Sequence, residues 1–320
     1  MKSQQEFLTL RGHMQSVIVG QSQLIDRILI SVLTGGHLLL EGPPGLAKTT
    51  AVKTLASGIH ASFQRIQFTP DLMPTDLTGS DIFDPKEASF EFMPGPIFHE
   101  IILADEINRA PPKVQSALLE AMEEHQVTVS GQTHALPDLF IVMATQNPLE
   151  QSGTYPLPEA QMDRFLMQVR IDYPDQNEEL DILRRDRQTH FGEDNKNLET
   201  RLQPSTVLQA RREVADIHIE PTVEEYMVTL VHGTRDPSKW VEEWQDYIEF
   251  GASPRATLAL ARAASAYAYL NGRDYVIPDD VIEVAPEVLQ HRILPTFNAK
   301  AHQVDSNTII TKLLEVIPVP

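Results

Sequence analysis

The run Leu38-Leu39-Leu40, followed after Glu41 by Gly42-Pro43-Pro44-Gly45-Leu46-Ala47-Lys48-Thr49, constrains the fold more than any other stretch of this 320-residue chain. An apolar strand that enters a glycine-rich segment and then a set of good helix formers has to turn tightly, with the backbone N–H groups of the turn facing inward. A strand, loop and helix N-terminus in that order bind phosphate, because unpaired amides and the positive end of the helix dipole converge. In such a loop Lys48 would reach the β and γ phosphates of a nucleotide, and the Thr49 hydroxyl would coordinate Mg2+. The candidate cradle is therefore Gly42, Pro43, Pro44, Gly45, Leu46, Ala47, Lys48, Thr49 and Thr50. One position departs from the strict pattern, since Ala47 stands where glycine precedes the lysine. The loop alone leaves open a plainer reading, a Gly-Pro turn leading into an ordinary helix with a solvated lysine.

The strand before this loop is one of a series. Short apolar runs at His37 to Leu40, Phe63 to Phe68, Ile101 to Leu103, Phe140 to Met143 and Phe165 to Ile171 alternate with helical patterns, which predicts a parallel α/β sheet. After Gly192 comes the polar run Glu193-Asp194-Asn195-Lys196-Asn197, and then mainly helical periodicity. The expected organisation is an α/β core over residues 1–192, a linker over 193–203 and a helical domain over 204–320. Pro204 and Pro221 sit near expected helix starts, and Pro254 opens an alanine-rich helix over Arg255 to Leu270.

Composition removes several classes of function. Lysine and arginine number 26 against 45 acidic residues, a formal charge of -19, which opposes the counterion release that drives non-specific nucleic-acid binding. Without cysteine there are no disulfides, thiolate nucleophiles or zinc-thiolate sites. The start Met1-Lys2-Ser3-Gln4-Gln5-Glu6 is polar and acidic, unlike a secretory signal. The longest apolar stretch, Ile28 to Leu40, is interrupted by Thr34-Gly35-Gly36-His37 and is too short to span a bilayer. The expectation is a cytoplasmic protein with no nucleic-acid partner and no membrane insertion.

Further polar groups occur at the ends of the later strands. Ile101-Ile102-Leu103-Ala104-Asp105-Glu106 is an apolar run ending in adjacent acids, which would emerge at the carboxyl edge where open α/β sheets bind ligands. There Asp105 would hold Mg2+ and Glu106 would polarise an attacking water; read alone, the run also fits a solvated turn or a helix cap. Leu139 to Thr145 is followed by Gln146-Asn147-Pro148, where Asn147 would orient that water or Asn-Pro would merely start a turn. Arg164 ends a short helical segment ahead of a strand. It reads either as an arginine finger or as a surface cation paired with Asp163 or Glu159.

Taken in order, Gly42 to Thr49, Asp105-Glu106, Asn147, Asp163-Arg164-Phe165 and Gly251-Ala252-Ser253-Pro254-Arg255-Ala256 resemble the MoxR family of AAA+ ATPases over nearly the whole chain. The resemblance accounts for Ala47, because the family's phosphate loop commonly has alanine before the lysine. It implies a P-loop core with a parallel sheet followed by a small all-α lid. It implies that Val19, Gly20 and Gln21 contact adenine, that Asn147 is sensor 1, and that Arg164 is an arginine finger acting on a neighbouring subunit. Arg255 would be sensor 2, serving its own subunit or the neighbour. It further implies ATP and Mg2+ at the subunit boundaries of a homo-oligomer, a hexamer, with chaperone-like work on client proteins. Family members commonly act with a partner carrying a von Willebrand factor A domain, often in maturing metal cofactors of other complexes.

Gly79 to Phe98, with its partial alternation Ser89-Phe90-Glu91-Phe92, resembles the helix-2 insert of this clade. Residues 126–136 read as a hairpin with Ser130-Gly131 at the turn. By resemblance both engage substrates or line a central pore; as bare sequence they are exposed hairpins. Glu120, Glu123, Glu124 and His125 look like metal ligands, but Val114, Ala117, Leu118, Ala121 and Met122 mark the buried face of that helix and leave them solvated. Arg184-Arg185 with Arg187, and Arg211-Arg212, read as solvated helix faces, and Trp240 and Trp244 as core or interface packing. A GTPase would need Asn-Lys-x-Asp, and the near match Asn195-Lys196-Asn197-Leu198 lacks the aspartate. A nucleotide-regulated binding module without turnover is disfavoured by Lys48 together with Glu106, and a nucleic-acid motor by the charge balance.

Overall fold

The fold is that of a computed structural model, which describes residues 2–43, 45–46, 48–147, 153–190 and 201–320. Pro44 and Ala47 of the expected phosphate loop, Pro148, and residues 193–200 of the expected linker lie outside the described residues.

The first part of the chain forms α1 (Lys2–Val17), α2 (Ser22–Thr34), β1 (Leu38–Glu41), α3 (Lys48–Gly58), β2 (Phe63–Gln67), α4 (Pro74–Thr78), β3 (Gly79–Asp84) and β4 (Ser89–Pro94). Next come β5 (Ile101–Asp105), α5 (Pro112–Glu124), β6 (Gln126–Val129), β7 (Gln132–Ala135), β8 (Ile141–Gln146), α6 (Glu159–Met162), β9 (Met167–Arg170) and α7 (Gln176–His190). The C-terminal part contains α8 (Pro204–Ala215), α9 (Pro221–Gly233), β10 (Ile248–Phe250), α10 (Pro254–Leu270), α11 (Pro278–Leu289), β11 (Leu294–Pro295), α12 (Phe297–Ala301) and α13 (Ser306–Val316).

The expected parallel sheet forms, in the order β2-β5-β8-β1-β9. Its three central strands, β5, β8 and β1, are mostly continuous apolar runs because helices cover both faces, whereas the edge strands β2 and β9 mix polar with apolar residues. Leu38, Leu40, Ile101, Leu103, Ile141 and Met143 enter one core, whereas Leu39, Ile102, Ala104, Val142 and Ala144 enter the other. Each fully buried leucine or isoleucine stabilises the sheet by about 1.5–3 kcal/mol. α2 shares the first core through Leu24, Ile25, Ile28, Leu29 and Val32, and it contacts both β9 and the C-terminal helices α8 and α10. Gly35, at a left-handed φ of 69°, ends α2 so that the chain can reverse into β1.

The C-terminal helices gather around α10. Pro254 in the first turn of that helix and the Ser253 hydroxyl, which accepts the Arg255 N–H, fix its start. β10 and β11 add a short antiparallel pair, too short to leave an alternation in the sequence. This helical part is clasped to α2 by the buried Arg27 guanidinium. Arg27 of α2 lies 3.0 Å from Glu283 and 3.1 Å from Glu287 of α11, and Gln23 Nε2 donates to Glu287 at 2.6 Å. α1 adds a further strap, since Gln4 Nε2 donates to the Tyr269 carbonyl at 2.7 Å.

Two hairpins extend the core. β3 and β4 pair from Gly79↔Pro94 to Asp84↔Ser89. β6 and β7 join through Ser130 and Gly131, whose φ angles of 49° and 84° suit a tight primed turn. His134 of the second hairpin stacks on Phe92 of the first, ring centroids 3.8 Å apart. No helix among the described residues is long and apolar enough to cross a membrane.

Candidate functional site

Strand register brings the candidate polar groups to one edge. Glu41 of β1 is level with Gln146 of β8, and Gln67 of β2 is level with Asp105 of β5. The loop after β1 therefore starts beside the ends of β8 and β9, with the end of β5 next along the same edge. A cavity of about 460 Å3 at this edge is lined by Lys48, Thr49, Asp105, Glu106 and Asn147, with Gly45, Leu46 and Thr50 from the loop and α3. Gly42 can carry no side chain, because a β carbon there would lie 2.5 Å from the Ile171 carbonyl oxygen. Its N–H donates to the Gln146 carbonyl at 3.3 Å and ties the loop, which continues into Pro43, to the end of β8. Gly45 has a φ of 86°, which only glycine adopts without strain.

Lys48 Nζ folds back and donates to the Gly42 carbonyl at 2.6 Å. Burial lowers the pKa of its ammonium, against the opposing pull of the Asp105, Glu106 and Glu41 carboxylates. A lysine held by a backbone carbonyl, and not ion-paired to an acid, can exchange that contact for a phosphate oxygen.

The two acids are held by neighbours from adjacent strands. Asp105 Oδ1 accepts from Thr145 Oγ1 at 2.6 Å, and Oδ2 accepts from Arg65 Nη2 at 2.5 Å and Nε at 2.9 Å. The Thr145 hydroxyl accepts in turn the Glu106 N–H at 2.9 Å. Glu106 has left-handed backbone angles, φ 57° and ψ 50°, which cost on the order of 1 kcal/mol in a residue with a β carbon. Its side chain makes no cap hydrogen bond. Instead Oε2 accepts from Gln67 Nε2 at 2.7 Å and lies 3.2 Å from Arg109 Nη1. A carboxylate and a hydroxyl, Asp105 and Thr49, line one cavity beside a cation and a glycine-walled loop. These hard oxygen donors are the kind Mg2+ takes, so the residues fit a magnesium-nucleotide.

Arg164 and Arg255 lie elsewhere. They line a second cleft of about 330 Å3 that shares no lining residue with the first. Arg164 Nε is 2.9 Å from Glu123 Oε2, and Arg255 Nη2 pairs with the other oxygen of the same carboxylate. Glu123, which helical periodicity leaves on the solvated side, is thus the shared partner of both arginines. Asp163, weighed in the sequence as a partner for Arg164, is otherwise engaged. It accepts from Arg292 Nε at 2.7 Å and from Ser253 Oγ at 2.8 Å. Arg292 is 3% exposed and also donates to the Phe165 carbonyl at 2.6 Å and the Leu166 carbonyl at 3.1 Å, latching the C-terminal helices to the segment that carries Arg164.

His37 forms part of the same cleft wall. Its Nδ1 accepts the Val142 N–H at 3.0 Å, so the ring is neutral with the proton on Nε2, which donates to the Met122 carbonyl at 3.2 Å. Burial pushes its pKa down to about 4. Val19, Gly20 and Gln21 form the turn between α1 and α2 and do not line the first cavity. Gly20, at a φ of 71°, backs onto Glu178, whose carboxyl carbon would lie 2.5 Å from a β carbon there.

Two parts of the chain match known protein families. Residues 37–167 match the ATPase family associated with various cellular activities (AAA), and residues 244–313 match the AAA lid domain. Protein YeaC of Bacillus subtilis is 47% identical over 96% of this chain and 93% of its own. Chaperone MoxR1 of Mycobacterium tuberculosis is 44% identical over 95% of this chain and 80% of its own, and protein MoxR of Methylorubrum extorquens is 31% identical over 95% and 92%. The crystal structure of a protein from Cytophaga hutchinsonii superposes with a TM-score of 0.92 at 44% identity, covering 100% of this chain and 96% of that one. Likeness that runs through both the sheet and the helical part, at this level of identity, establishes that the chain belongs to the MoxR family of AAA+ ATPases.

Proposed function

We propose that this chain hydrolyses ATP as one subunit of a homo-oligomeric ring, a hexamer, and uses the turnover for chaperone-like remodelling of client proteins. The observation that carries the reading is the separation of the two clefts. Lys48, Thr49, Asp105 and Glu106 line one, while Arg164 and Arg255 are joined through Glu123 in another. Two half-sites on one chain become a whole site when a second copy sets its arginines against the first copy's phosphate loop. In this reading Arg255 acts on the neighbouring subunit, as Arg164 does.

The N–H groups of Gly45, Leu46, Lys48, Thr49 and Thr50 and the Lys48 ammonium would hold the phosphates, while Gly42, Pro43 and Pro44 shape the loop and Thr49 and Asp105 would hold Mg2+. Bound Mg2+ supplies charge neutralisation for the phosphates. Glu106 accepts a proton from the attacking water, which Asn147 orients, once Gln67 gives up its hold on Glu106. Val19, Gly20 and Gln21 meet the adenine. The core spans residues 1–192, the linker 193–203 and the lid 204–320, with the insert at about 79–98 and the hairpin at about 126–136. Exposed Phe83 and Phe90 on one face of the β3–β4 hairpin, and Ile82 and Met93 on the other, supply apolar contacts for a protein client, and the acidic balance of the chain disfavours nucleic acid. A partner with a von Willebrand factor A domain and a cytoplasmic location complete the reading.

The test is ATPase activity per subunit as protein concentration is raised. Activity is expected to climb to a plateau, and Arg164→Ala is expected to lower the plateau about 10³-fold while leaving ATP affinity in place. Specific activity that stays flat down to the monomer regime, together with wild-type turnover in Arg164→Ala, overturns the ring mechanism.

A further inference from the structure

We infer that Glu123 is a positioning residue: it holds Arg164 and Arg255 side by side, ready for an anion carried by a second copy of the chain. The inference rests on the trans-acting reading of the two arginines.

The three residues come from separate places in the fold. Glu123 is in the last turn of α5, Arg164 follows α6, and Arg255, 132 residues beyond Glu123, is in the first turn of α10. Their backbones are tied together by contacts other than their own tips. The Met122 carbonyl beside Glu123 is bound by the His37 ring. Asp163, next to Arg164, is bound by Ser253, two residues before Arg255, and by Arg292. Only the tips meet through the Glu123 carboxylate, one arginine on each oxygen.

Helix stabilisation does not account for this arrangement. An anion in the last turn of α5 and a cation in the first turn of α10 each sit at the helix end whose partial charge repels them. Mutual pairing is what offsets both. The cleft also keeps a cationic surplus, since Arg164, Arg255 and Arg262 line it against Glu123, while Arg292 is matched by Asp163. It remains receptive to an anion after Glu123 is counted.

Exposure decides whether Glu123 is a lock or a guide. The side chains of Arg164, Glu123 and Arg255 are 30%, 33% and 49% exposed, so water screens both ion pairs and each is readily surrendered. A phosphate group, able to take guanidinium donors in parallel, outcompetes one shared carboxylate. Glu123 therefore keeps the two guanidiniums together without withholding them.

Glu123→Gln preserves size and removes the charge. At saturating ATP and protein its turnover is expected to fall about tenfold, in the range seen when a residue orienting a functional group is lost. Binding of a fluorescent ATP analogue at the chain's own Lys48, measured at protein concentrations below assembly, should be unchanged. ATP-induced assembly, followed by sedimentation velocity, should need a higher protein concentration. Mixed with Lys48→Ala, which has a defective loop and an intact arginine pair, Glu123→Gln should regain turnover, and Arg164→Ala mixed with Lys48→Ala should regain it too. Wild-type turnover in Glu123→Gln, or no recovery in its mixture while the Arg164→Ala mixture recovers, overturns the role of Glu123 and leaves the trans reading intact. Failure of the Arg164→Ala mixture overturns the trans reading, and this inference with it. If Glu123→Gln proves unstable by thermal unfolding, Glu123→Asp serves in the same assays. It keeps the charge but is too short to bridge both arginines, so a smaller loss, recovered in the mixture, is expected; wild-type turnover overturns the inference.

Discussion

The Lys48 cleft and the Arg164 cleft differ in how the chain supplies them. The first draws its groups from the ends of adjacent strands, so hydrogen bonds within one sheet set its geometry. Arg65 and Gln67 of β2 and Thr145 of β8 hold Asp105 and Glu106 from either side of β5. The second is assembled from α5, the segment after α6, and α10, which meet because the lid docks on the core. Its supports are the buried Asp163–Arg292 pair and the His37 ring. The Lys48 half is therefore a property of the sheet, and the arginine half a property of lid position. A displaced lid would alter the arginines offered to a neighbour while the chain's own loop kept its shape.

The largest effect that tests this contrast comes from Arg292→Ala. Removing the buried guanidinium strands Asp163 and the Phe165 and Leu166 carbonyls, and breaking a buried pair costs about 3–5 kcal/mol. Urea unfolding should show that loss. Under conditions where the variant stays folded, a fluorescent ATP analogue should still bind while turnover is lost. Equal loss of binding and turnover would break the distinction between the clefts.

The same contrast governs what the sequence disclosed. The proposed phosphate loop is a local object, with strand, turn and helix consecutive, so Gly42 to Thr50 stand out as a candidate in the sequence, and so do Asp105 and Glu106 at the end of an apolar run. Their partners do not, because Gln67 faces Asp105 through strand register, which no neighbour in sequence signals. A polar residue at or next to the end of each parallel strand is the available hint, at Gln67 as at Thr145. Periodicity puts Glu123 off the apolar face of α5, which agrees with its exposure and is silent about function. Periodicity says which side of a helix meets solvent, and nothing about which arginines arrive there from a docked lid. Arg292 carries no local signature, since what marks it is burial against carbonyls of a distant segment.

A second effect is read through pH. His37 is neutral and buried, with a pKa lowered from 6.5 to about 4 because burial penalises the imidazolium. The unfolded chain takes up its proton more readily, so the stability His37 contributes is complete above pH 6.5 and is lost as pH falls towards 4. That difference corresponds to about 3 kcal/mol, of which about 2 kcal/mol should disappear between pH 7 and pH 5. His291, likewise buried and pushed down by desolvation, adds a loss of the same sign. Stability measured by denaturant at pH 7 and pH 5 should fall more steeply in the wild type than in His37→Gln. Equal slopes would show that the wall beneath Glu123 is not held by a neutral imidazole.

The smallest effect belongs to the sheet-built cleft. Thr145→Val keeps the shape of the side chain and removes the hydroxyl that donates to Asp105 Oδ1 and accepts the Glu106 N–H. An amide left without a partner costs about 1–3 kcal/mol when buried, and Glu106 is only partly so, which puts the stability loss at the low end. Asp105 would lose the contact that orients it, and loss of such a contact to a ligating carboxylate weakens metal binding about 10–100-fold. Half-maximal activity should therefore need more Mg2+, with turnover recovering at excess Mg2+ and with ATP-driven assembly unchanged in sedimentation. Turnover that stays low at every Mg2+ concentration would place Thr145 in the chemistry itself. A shift in assembly would mean that the sheet edge and the arginine cleft are coupled within one subunit, against the independence their separate linings imply.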